Sequence, residues 1–64
     1  MFEDEKLYLL AEVIDTLKMS RRAADSLLAR EGVPRYALTR RSIRYLGRDL
    51  NRLLNRLLER SSQR

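Results

Sequence analysis

The stretch Glu31-Gly32-Val33-Pro34 divides this chain into two regions of different hydrophobic period, and no other feature restricts the fold as much. Glycine tolerates the left-handed conformation that ends a helix, and a proline two residues on cannot rejoin one. Before this break, Leu10, Val13, Ile14 and Leu17 fall at i, i+3, i+4 and i+7, which predicts a helix over about residues 9–17 with Glu12, Asp15 and Thr16 facing outward. Lys18-Met19 interrupts that period. Ser20 is a helix N-cap, and a second helix follows with Ala24, Leu27 and Leu28 on its apolar stripe. Two short helices joined by a tight turn, each apolar on one face only, are the outline of a helix-turn-helix.

Past the break the period changes twice. Tyr36 and Leu38, then Ile43 and Tyr45, alternate with polar or small residues, which predicts a β-hairpin with Leu38, Ile43 and Tyr45 facing inward. Its turn, Thr39-Arg40-Arg41-Ser42, holds no Gly, Asn or Asp, so a four-residue turn of right-handed geometry is expected in place of a tight primed turn. From Gly47 the helical period returns: Leu50, Leu53, Leu54, Leu57 and Leu58 form one stripe, and Arg48, Arg52, Arg56 and Arg60 recur every fourth residue beside it. The expected fold is α+β and mostly helical, one domain over residues 1–64, with residues 1–6 and 61–64 flexible.

At 64 residues such a domain is marginal unless its core is dense, and with neither cysteine nor histidine it has no disulfide and no soft metal ligand to add. Charge is unevenly placed. Residues 1–20 carry five acids and two lysines, net −3, whereas residues 21–64 carry twelve arginines and four acids, net +8. The basic region uses arginine alone, whose planar fork matches phosphate oxygens and the acceptor edge of guanine.

Catalysis lacks its parts, because a Ser or Tyr nucleophile has no histidine base and no glycine-rich cradle. Tyr8, Tyr36 and Tyr45 read as core residues with a polar tip, and Glu3, Asp4 and Glu5 as a solvated cluster rather than a cation site. Nucleic acid fits better. On the second helix Ser20, Arg21, Arg22, Asp25, Ser26, Ala29 and Arg30 lie off the apolar stripe, where the first turns can meet base edges in a major groove. Arg35, Thr39, Arg40, Arg41, Ser42 and Arg44 place further guanidiniums and hydroxyls on the hairpin beside it, within reach of backbone phosphates.

The run AEVIDTLKMSRRAADSLLAREGVPRYALTRRSIRYLGRDLNRLL resembles the small winged helix-turn-helix domains of the MerR-like superfamily, and within it the phage and plasmid excisionases. The resemblance rests on Glu12-Val13 in an acidic first helix, Met19-Ser20 at the turn, Gly32-Val33-Pro34 after the second helix, the basic segment 40–45, and Asp49-Leu50 opening the last helix. Leu10 stands where many relatives have a threonine cap, Lys18 where the turn often has glycine, and the hairpin tip lacks the glycine common there. The resemblance implies a two-stranded wing, sequence-specific binding of double-stranded DNA, DNA bending, and contact with an integrase that is thereby driven toward excision.

Two other readings stay open. A small transcriptional regulator would use the same DNA surface. A docking or oligomerisation module would act instead through the last helix, with Arg52, Leu53, Arg56, Leu57 and Arg60 as the partner surface. Self-association on DNA is open under either DNA reading. No cofactor, small-molecule ligand or membrane partner is expected, and the expected location is the cytoplasm, at the nucleoid of the host cell.

Overall fold

The computed structural model describes residues 2–62, which form three helices and a three-stranded antiparallel sheet, a mostly helical α+β fold. In chain order these are β1 (Leu7–Tyr8), α1 (Leu10–Leu17), α2 (Arg21–Arg30), β2 (Tyr36–Thr39), β3 (Ser42–Leu46) and α3 (Gly47–Ser62). No described helix is long and apolar enough to cross a membrane.

The first two helices end as their sequences direct. Leu9 occupies the N-cap of α1, where leucine offers no acceptor, and the Glu12 carboxylate instead accepts the Leu9 N–H at 2.9 Å. Lys18 closes α1 in the left-handed region, φ 56°, which is unusual for a residue with a side chain. Ser20 caps α2 by accepting the Ala23 N–H at 3.1 Å. At the other end Gly32 takes φ 68° and donates to Ala29 O, while Val33 donates to Leu28 O at 3.0 Å. This pair of bonds is a Schellman motif, and its characteristic apolar contact is supplied by Val33 and Leu28, both in the core.

The hairpin forms, but its outer arm is not where alternation predicts. Thr39 pairs with Ser42, so only Arg40 and Arg41 make the turn. Between Ala37 and Thr39 the register shifts, leaving Leu38 as the extra residue of a β-bulge. Leu38, expected inward, is 57% exposed, and Tyr36 is 42% exposed. The reason is position: β3 is the central strand, its Tyr45 is buried and its Ile43 packs on the core, while β2 is an edge strand exposed throughout.

A third strand was not legible in the sequence. Residues 2–6, expected to be flexible, are bonded into the fold, and β1 pairs with β3 through Leu7 and Leu46 and through Tyr8 and Tyr45. Phe2 enters the core, its ring meeting Tyr8 edge-on at 4.9 Å. Asn51 holds the Phe2 backbone at both polar groups, accepting the N–H at 3.1 Å and donating to the carbonyl at 2.7 Å. The same segment caps α3: Gly47 N–H donates to Lys6 O and Arg48 N–H to Asp4 O. Gly47 permits this approach, since a Cβ there would lie 1.8 Å from Glu3 O.

Phe2, Val13, Leu28, Val33, Tyr45, Leu50 and Leu53 make one core, so every element except β2 has a side chain in it or packed against it. Helix α3 begins at Gly47, two residues before the Asp49 start expected, and includes Ser61 and Ser62, which were expected to fray. Gln63 and Arg64 lie outside the described residues.

Candidate nucleic-acid interface

The capped start of α2 and the hairpin face each other across a cleft of about 350 Å³. Arg21 and Asp25 line it from α2, Arg35 from the approach to β2, Arg41 from the turn and Arg44 from β3. Leu9, Leu10, Ile43 and Tyr45 provide apolar lining, beside which stand four guanidiniums and one carboxylate. Arg44 is half-buried and donates to Ile43 O at 3.2 Å, which restricts where its guanidinium can point.

Ser20, Arg21, Arg22, Asp25, Ser26 and Ala29 are all exposed, and the last five, with Arg35, line a shallower depression along the outer face of α2. The cleft and the depression share Arg21, Asp25 and Arg35, making one surface. Helix α2, with ten residues, is about 15 Å long, comparable to a major groove about 12 Å wide. Thr39 and Arg40 are exposed, Ser42 is partly covered, and none of the three lines the cleft; they make the hairpin tip beyond it.

Only Arg30 and Arg60 of the arginines are ion-paired among the described residues, both with Glu31. Among the described residues Arg21, Arg22, Arg35, Arg40, Arg41 and Arg44 form no ion pair, although Asp25 stands one turn from Arg21. Four guanidiniums share the cleft with one carboxylate, so its net positive charge favours an anion. Arg30, expected on this surface, instead lies 3.8 Å from Glu31 at the far end of α2.

The partner surface expected on α3 does not exist as a unit. Leu53 is fully buried and Leu57 packs against the core, because the leucine stripe closes the fold over Val13, Leu28 and Tyr45. Arg60 is engaged within the molecule, donating to both Glu31 carboxylate oxygens at 3.0 and 3.1 Å. That fork holds the Glu31 carboxyl below its ordinary value and raises the Arg60 guanidinium above its own. Only Arg52 and Arg56 of the expected set remain exposed and outside any ion pair.

Sequence reasoning missed the contribution of the α1 start, where Leu9 and Leu10 line the arginine cleft. Their apolar character was visible, but which apolar residues border a cleft depends on how α1 packs against β3. Compared with models of protein families, with curated proteins and with solved structures, the chain matches none.

Proposed function

We propose that this protein is a winged helix-turn-helix protein that binds double-stranded DNA sequence-specifically, with α2 in the major groove and the β2–β3 hairpin as the wing. The observation that carries the reading is the joint cleft: arginines from α2 and from the hairpin converge on one surface, outnumber its single carboxylate, Asp25, four to one, and form no ion pair among the described residues. A solvated basic face does not require convergence. A surface that tracks phosphates does, because backbone contacts must set the helix in register before base edges can be read.

Within that reading Arg21 and Arg22 project from the first turn of α2, where a guanidinium can fork onto guanine, and Asp25 either accepts from cytosine or orients Arg21. Arg35, Arg40, Arg41 and Arg44 contact the backbone, with Thr39 and Ser42 adding hydroxyls at the wing tip. No bond is made or broken; the protein acts by occupying and shaping DNA. The task proposed is that of an excisionase, which directs an integrase toward excision at the nucleoid. A small transcriptional regulator is the second reading, favoured to the extent that the same surface suffices for occupying an operator.

Fluorescence anisotropy with duplex DNA at low salt is the first test, and affinity is expected to fall linearly on a log–log plot as salt rises. No binding would remove both DNA readings. Adding the protein to an integrase reaction then separates them: a shift from integration to excision supports the excisionase, and an unchanged direction leaves the regulator.

A further inference from the structure

We infer that α3 carries a second contact with the DNA backbone, in which Arg52 and Arg56 grip phosphates in the flank of the duplex that α2 and the wing engage. The inference rests on the DNA-binding reading and extends it to a surface outside the helix-turn-helix.

A groove of about 460 Å³ runs between the Glu31–Pro34 segment and α3, lined by Val33 and Pro34 on one side and Arg52, Asn55 and Arg56 on the other. Arg52 and Arg56 are one turn apart, so their Cα atoms differ by about 6 Å along the helix axis. Two acids also line the groove, and one of them is ion-paired within the molecule. Glu31, at 8% side-chain exposure, is held by the Arg60 fork. Asp49 accepts the Tyr36 hydroxyl at 3.4 Å. Arg56 spends one nitrogen on Glu31 O at 3.5 Å, which leaves the remainder of its guanidinium free while tying the side chain to the groove wall. Arg52 forms no ion pair among the described residues, and the Asn55 amide adds a neutral donor.

Continuity selects DNA and places it. Pro34 lines this groove and Arg35, the next residue, lines both the cleft and the α2 depression. The arginines therefore continue from the proposed DNA face through Arg35 to Arg52 and Arg56, with Glu31 and Asp49 bordering the groove between them. An acidic protein segment would find the same guanidiniums, but would have no reason to be continuous with the arginine cleft.

The test compares salt dependence on a duplex selected by the wild-type protein from a randomised pool, used once with flanks of a full helical turn and once trimmed to the site. R52Q/R56Q is expected to lower the log–log slope by about 1.8 on the flanked duplex, from about 0.9 for each phosphate no longer neutralised. On the trimmed duplex its slope is expected to equal the wild type's. R52K/R56K, which keeps the charge, is expected to retain the wild-type slope, as is K6Q/K18Q, which removes the same net charge elsewhere. Circular dichroism melts confirm that each variant is folded. An unchanged slope for R52Q/R56Q on flanked DNA would overturn the inference, and so would an equal drop on both duplexes. A third overturning result is energy transfer between two differently labelled duplexes that R52Q/R56Q abolishes, because the groove would then hold a second duplex. Failure of the wild type to select any duplex would instead remove the DNA reading itself.

Discussion

Gly47 and Gly32 are the only two glycines, and they serve different physical needs. At Gly32 the backbone takes φ 68° with open space around it, so the requirement is conformational. At Gly47 the requirement is steric, because Glu3 O occupies the place of a Cβ. Gly47→Ala is expected to destabilise the protein by about 3 kcal/mol, read from the urea midpoint, since backbone must move to admit the methyl group. The arginines differ as sharply by location. Arg22→Ala is expected to weaken binding to the selected duplex by about 1–3 kcal/mol with loss of discrimination against other sequences. Arg41→Ala should weaken selected and unselected duplexes alike and lower the salt slope by about 0.9. Anisotropy titrations over a salt series on both duplexes distinguish the two outcomes.

Among elements, the hairpin and the α2–α3 clamp show what local sequence encodes. The turn of the hairpin has no positive φ, so its two arginines depart from the mirror-image geometry usual for two-residue turns. The bulge at Leu38 adds local right-handed twist to the strand leading into that turn, and in doing so removes Leu38 from the alternation that predicted it inward. The clamp joins Glu31, just past α2, to Arg60 near the end of α3, across 29 residues. Because the arginine fork lowers the Glu31 carboxyl from its ordinary 4.5, the unfolded chain takes up that proton first as acid is added. The pair therefore stabilises fully above pH 4.5, and its contribution is lost as pH falls through the lowered folded value. Glu31→Gln is expected to flatten this part of the acid-unfolding profile, measured as urea midpoint against pH. A profile identical to the wild type's would show that the clamp carries no linkage.

For the molecule as a whole, the N-terminal segment decides whether so short a chain closes a core. Phe2 is 6% exposed and contacts a cluster drawn from α1, α2, β3 and α3. Phe2→Ala is expected to lower stability by about 3 kcal/mol in urea titration, a large share of what a domain this small holds. The amino-acid sequence by itself determined the helices, their caps at Ser20 and Gly32, the hairpin and its arginine tip, and the restart of helical period at Gly47. These depend on period and on residue conformational limits, which act over a few neighbouring positions. Only the tertiary structure decided that residues 2–8 join the sheet, that Leu53 is interior, that Arg30 and Arg60 gather at Glu31, and that Arg21, Arg35, Arg41 and Arg44 share one cleft. Local periodicity shows which face of an element is apolar or basic. It carries no information on which distant face that one meets, because the choice depends on how all six elements together bury their apolar surface.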